Sequence, residues 1–125
     1  MKKNLGLFLA IILVQIAPFI SAADTLYPLI YKIDIKKEIS NTTRLYLSNG
    51  YALGADAVLI HMNTYGGQVD AADSMRTAIL YNPIPVYVFI DNNAASAGAL
   101  ISIACKKIYM RKGANIGAAT VVNPT

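Results

Sequence analysis

Ser96 stands where a serine can do chemistry. It follows an apolar run, Val86 to Ile90, that reads as a buried strand. It opens a stretch from Ala97 to Cys105 that reads as a helix. A residue at a helix N-terminus meets free backbone N–H groups and the positive end of the helix dipole, and both favour negative charge. The neighbours Ala94, Ala95, Ala97 and Gly98 are small and leave room for a substrate backbone. Two readings fit. Ser96 is a nucleophile, or it is an N-cap, since serine is among the preferred capping residues. A second stretch, Gly66-Gly67, lies between another strand-like run and another helix-like run. Paired glycines adopt backbone conformations closed to other residues and can turn an N–H toward a ligand. Together the two stretches supply a candidate nucleophile, Ser96, and a candidate oxyanion hole from the N–H groups of Gly67 and Ala97, with Gly66 in the substrate loop. Losing one such fixed donor typically costs about 3 kcal/mol of transition-state stabilisation. The plain alternative for Gly66-Gly67 is a tight turn before a helix.

A serine hydroxyl also needs a base to take its proton. His61 is the only histidine. It falls within a strand-like run and reads as a packed or partly exposed strand residue, its ring facing a helix that covers the sheet. Lys106 and Lys107 lie two or three helical turns beyond Ser96, roughly 15 Å along the axis, which is too far. Lys112 sits in a turn and is solvated. Asp91 is near Ser96 in sequence, but no histidine follows to complete a triad. Asp70 and Asp73 lie in the first turns of a helix, where acids suit the dipole. Cys105, the single cysteine, cannot form an intrachain disulfide and reads as a small packed hydrophobe. One cysteine and one histidine do not make a zinc site of the usual kind, and neither a metal nor another cofactor is expected.

The elements that must position these residues follow from periodicity. Tyr27 to Lys36 alternates, with Leu29, Tyr31, Ile33 and Ile35 on one face and Lys32, Asp34 and Lys36 on the other. This predicts an edge strand with one solvated face. Ser40, Asn41 and Thr42 are N-cap candidates for a helix over 42–53, weakened by Asn49-Gly50 and stopped at Gly54. Asp56 to Met62 fits a buried parallel strand and 63–67 a loop. Gln68 to Tyr81 carries Val69, Ala72, Met75, Ile79 and Leu80 at helical spacing, and Pro83 and Pro85 end it. Val86 to Ile90 is the next strand, and the Ser96 turn and its helix follow. Ile108 to Met110 is a short strand, 111–114 a turn and 115–122 a strand or loop. The order β-α-β-α-β-α-β predicts an α/β fold with a mostly parallel sheet and right-handed crossovers. Both glycine-rich turns lie at the carboxyl ends of its strands, where ligands gather in such sheets.

Residues 1–23 read as a secretory signal peptide. Lys2 and Lys3 precede the apolar run Leu5 to Ile20, and Ser21-Ala22-Ala23 offers small residues for cleavage. A retained anchor is the rival reading. Loss of Lys2 and Lys3 lowers the formal charge from +4 to +2, so the basic balance is partly a targeting feature and no nucleic-acid surface is implied. The remaining 24–125 is one domain.

Three motifs in order carry a resemblance over about residues 27–122. Asn63-Thr64-Tyr65-Gly66-Gly67-Gln68-Val69-Asp70-Ala71-Ala72 resembles the D-T-P-G-G-x-V-x-A-A segment of the NfeD-type membrane-bound serine proteases. Ala94-Ala95-Ser96-Ala97-Gly98-Ala99 resembles their nucleophile segment, and the stretch from Met110 to Ala119 their M-x-x-G-x-x-I-G-A-A run. Tyr65 replaces the usual proline. The resemblance implies a ClpP/crotonase-like spiral of βαβ units. It implies a Ser–Lys dyad endopeptidase with Ser96 as nucleophile, the Gly67 and Ala97 amides as oxyanion hole, and a lysine base downstream of residue 125. It also implies an exported, membrane-associated protein, periplasmic or otherwise extracytoplasmic, with a peptide or membrane-protein substrate. Apolar surface around Ser96 points to an apolar peptide, and the open edge and exposed apolar faces of an incomplete sheet point to a homo-oligomer. Two other classes stay open: a catalytically inactive protomer serving as an interaction module, and an acyl-CoA enzyme of the same fold. The export signal speaks against the latter.

Overall fold

The computed structural model describes residues 27–119. The leader at 1–23 and residues 120–122 of the last predicted segment lie outside them. The described chain runs β1 (Ile30–Ile35), α1 (Asn41–Ala52), β2 (Ala57–Thr64), α2 (Val69–Leu80), β3 (Val86–Ala95), α3 (Ala97–Ala104), β4 (Lys107–Met110) and β5 (Asn115–Gly117). The sheet order is β1-β2-β3-β4, with β5 also on β3, and every pairing is parallel. The predicted mixed α/β architecture with a parallel sheet is therefore present, and β1 is an edge strand.

The helices make one layer, α1 against α2 and α2 against α3. Beneath them lie the alternate strand residues Ile33, Ile35, Val58, Ile60, Met62, Val88 and Ile90, all buried. Ala71, Ala72, Met75 and Ile79 close the core from α2. Period-2 alternation in strands and 3.6 spacing in the helix place these apolar residues on facing surfaces. The intervening residues of β1, β2 and β3 point to the opposite face.

Local signals explain the ends of α1. The Ser40 N–H donates to Thr43 Oγ1 at 3.2 Å, the back-bonding half of a capping box. Gly54, at φ +71°, follows the last turn in the left-handed conformation expected of a helix stop. Gly50 has a tertiary reason. A Cβ there would lie 2.6 Å from Tyr31 Cδ1, so the glycine lets α1 sit down on β1.

Two strands are longer than periodicity predicts. β2 continues to Thr64, and β3 runs through the expected turn to Ala95. Register shows why. Met62 pairs with Ile90 and Thr64 with Ala94, so two steps on β2 match four on β3. This bulge leaves apolar alternation behind, which hides the strand from a pattern search. The Asn93 N–H donates to Asn63 Oδ1 at 3.3 Å across it. Past the bulge, β3 exchanges its neighbour β4, paired at 87–90, for β5, paired at 93–95.

Candidate active site

Ser96 is the single residue between β3 and α3. Its backbone lies at φ 52°, ψ −116°. A capping serine has extended backbone and accepts a hydrogen bond at its side chain. Ser96 does neither, so it begins α3 without capping it. Its carbonyl accepts the Ala99 and Leu100 N–H groups at 3.0 and 3.2 Å, and its own N–H donates to Gly117 O at 2.8 Å. The side chain is exposed. Positive φ in a non-glycine residue typically costs about 1–3 kcal/mol and persists only where the surroundings enforce it. Here the enforcement comes from β5 on one side and the α3 hydrogen bonds on the other.

The Gly66-Gly67 turn lies against this serine. Gly66 has φ +125°, and a Cβ built on it would stand 3.0 Å from Ser96 Cβ and 3.4 Å from Ser96 Oγ. Gly67 lies in an isolated parallel bridge with Ile39. The Ile39 N–H donates to Gly66 O at 2.9 Å, and the Gln68 N–H donates to Ile39 O at 3.0 Å. A Cβ on Gly67 would collide with the Ile39 backbone. Both glycines are thus required by close approach. The N–H groups of Gly67 and Ala97 donate to no backbone carbonyl among the described residues. Ala97 is the first residue of α3, where N–H groups have no intrahelical acceptor.

Beside the turn is a cleft of about 380 Å³ lined by Lys36, Lys37, Glu38 and residues 63–67. Charged Lys36, Lys37 and Glu38 share its lining with the exposed ring of Tyr65.

The other candidate residues lie elsewhere. His61 does not face a helix. It occupies the alternate position between buried Ile60 and Met62, and its ring lies on the opposite face of the sheet. There Nδ1 is 2.7 Å from Asp34 Oδ1 and Nε2 is 3.6 Å from Asp91 Oδ2, with the ring stacked on Phe89. Asp91 also pairs with Arg111 at 2.9 Å and takes no part in the Ser96 site. Asp70 lies in the first turn of α2, and Asp73 pairs with Arg76 at 2.8 Å. Burial pushes the Cys105 thiol up to about 12, so it stays protonated and unreactive at neutral pH. Among the described residues no titratable side chain hydrogen-bonds Ser96 Oγ, and no group of His, Cys, Asp and Glu could hold a metal ion.

Two contributors escaped the sequence reading. Gly117 anchors the Ser96 N–H. Thr64, buried at the end of β2, touches both turns. The visible signal for Thr64 was a β-branched polar residue two positions before Gly66.

Comparison with known proteins shows the family and the fold. The model of the NfeD1b N-terminal domain matches residues 29–125. The chain belongs to that family. The membrane protein NfeD1b of Bacillus subtilis is 33% identical over 98 residues, covering 75% of this chain and 22% of its own length. The membrane-bound protease PH1510 of Pyrococcus horikoshii is 31% identical over 97 residues, 72% of this chain and 22% of that protein. The chain therefore spans about a fifth of these relatives. Among solved structures, the 1510-N membrane-bound stomatin-specific protease, as a lysine-to-alanine mutant with a substrate peptide, superposes with a TM-score of 0.70 at 29% identity. The match covers 78% of this chain and 48% of that one. A ClpP1 mutant from Listeria monocytogenes gives a TM-score of 0.54 at 26% identity over 60% of this chain and 46% of that one. The fold is thus the ClpP-like one that the motifs implied.

Proposed function

We propose that this domain is the nucleophile-bearing part of a membrane-associated serine endopeptidase. The observation that carries the reading is the contact between the Gly66 turn and an exposed Ser96 held at positive φ. A strained strand-to-helix turn is also how the nucleophile elbow of hydrolases presents its serine.

In this reading Ser96 Oγ attacks a peptide carbonyl and passes its proton to a base. The Gly67 and Ala97 N–H groups stabilise the oxyanion. Collapse of the tetrahedral intermediate leaves an acyl-Ser96 ester, and the base returns its proton to the departing amine. The base is a neutral lysine located beyond residue 125, its pKa lowered by burial. The related protease supports both roles, since its solved structures include a lysine-to-alanine mutant with a substrate peptide and a serine-to-alanine mutant. That relative is described as stomatin-specific, which supports a peptide segment of a membrane protein as substrate here, apolar at least in part. No helix among the described residues is long and apolar enough to cross a membrane. Membrane association and export rest on the leader at 1–23 and on the relatives' being membrane proteins.

The test is labelling by a fluorophosphonate probe of the chain extended downstream through the lysine, with Ser96→Ala as control. Labelling of the unsubstituted protein alone supports the reading. No labelling of either moves the function to a non-enzymatic module, a reading favoured by the lack, among the described residues, of a titratable partner for Ser96 Oγ.

A further inference from the structure

We propose that Thr64 is a positioning residue that holds the Gly66-Gly67 turn at its distance from Ser96, an inference that rests on Ser96 being the nucleophile. Thr64 is the last residue of β2 and is 2% exposed. Its Oγ1 lies 2.7 Å from Lys37 O and 3.1 Å from Gly66 O, and the Gly66 N–H donates to it at 3.1 Å. A hydroxyl has one proton to give. The Lys37 carbonyl, at the shorter distance, takes it, while Gly66 O is already served by the Ile39 N–H at 2.9 Å. The hydroxyl therefore ties the segment after β1 to the amide of Gly66.

The methyl group of the same side chain faces the other turn. A Cβ built on Gly98 would lie 2.7 Å from Thr64 Cγ2. Gly98 is the second residue of α3, two positions after Ser96. One side chain thus grips the candidate oxyanion turn with its hydroxyl and bears on the first turn of the nucleophile helix with its methyl. Reacting groups must be held to within about 0.5 Å of productive geometry, and supporting residues with locked rotamers do this. Thr64 is locked by burial, by hydrogen bonds and by the Gly98 contact.

Thr64→Val keeps the shape and the methyl while removing the hydroxyl. Thr64→Ser keeps the hydroxyl and opens a gap above Gly98. Fluorophosphonate labelling is measured on the downstream-extended protein, at a temperature where all chains are folded. The inactivation rate constant and the probe's half-saturation concentration are determined separately. T64V is expected to lower the maximal rate at least tenfold with half-saturation unchanged, and T64S to stay within about threefold of the parent. A role in folding alone would lower the melting temperature of both and spare the maximal rate. Amide exchange adds a second readout: the Gly66 N–H loses protection in T64V and keeps it in T64S, while Ile60 and Val88 stay protected in both. Labelling of the parent with equal rates in T64V overturns the role of Thr64 and leaves Ser96 as nucleophile. Absence of labelling in the parent overturns the nucleophile, and the positioning role with it.

Discussion

Ser96 stores strain, and the strain can be measured. At φ 52°, ψ −116°, glycine is at ease and an L side chain is not. Ser96→Gly is therefore expected to stabilise the domain by about 1 kcal/mol while abolishing labelling. Ser96→Ala keeps a Cβ and gains none of that stability. Urea titrations of the three chains check this, and equal midpoints for the glycine and alanine variants would contradict it. Gly67 carries the opposite constraint. Gly67→Ala drives a methyl into the Ile39 backbone, which cannot swing aside like a side chain. Such overpacking typically costs about 1–3 kcal/mol, so a lower melting temperature is expected even before activity is assayed. Cys105 is a third case. With its thiol pushed up to about 12 by burial, iodoacetamide at pH 8 should modify it slowly in the native protein and quickly in urea.

Among the elements, α1 is marked by a glycine that appears misplaced. In an exposed helix interior Gly→Ala gains about 1 kcal/mol. Gly50→Ala should instead destabilise, because its methyl meets Tyr31 at Cδ1, Cγ and Cβ together. Pairing it with Tyr31→Ala should restore the ordinary helix gain, and a double-mutant cycle by thermal unfolding reads that coupling. β3 shows how one element builds a site. Its lower half belongs to the apolar core, and its upper half, beyond the bulge, exchanges β4 for β5. That exchange puts Gly117 O against the Ser96 N–H.

Over the whole molecule, the helices cover one face of the sheet and a ladder of charges crosses the other. Lys32 and Lys36 flank Asp34, which bonds His61, and Asp91 links His61 to Arg111. The hydrogen bonds from His61, then from Lys32, hold the Asp34 carboxyl down to about 2 against an ordinary 3.8. A carboxylate whose pKa is depressed by folding stabilises above its unfolded value and loses that contribution as pH falls through the folded one. The difference in stability between the parent and Asp34→Asn should therefore shrink as pH falls from about 4 to 2. Urea midpoints across that range test it, and a difference that does not vary with pH would refute the assignment. β4 and β5 are exposed along their whole length among the described residues, and we propose, as the sequence leads one to expect, that the protein assembles as a homo-oligomer. Light scattering that finds a soluble monomer would count against it.

The sequence by itself determined the element order, the parallel sheet, the edge position of β1, the stop at Gly54 and the siting of Ser96 and Gly66-Gly67 at strand-to-helix turns. Each is written in local periodicity, in capping chemistry or in a glycine pair, and local signals survive without knowledge of what packs where. Tertiary structure decided the rest. Whether Ser96 caps its helix or stands strained and exposed depends on Gly117, 21 positions away. The side of the sheet that His61 takes follows from its register among buried neighbours, not from its being a histidine. The contact of Gly66 with Ser96 and the grip of Thr64 on both turns depend on a bulge that pairs Thr64 with Ala94. Pairing of that kind joins residues about 30 apart, and no periodicity along the chain records it.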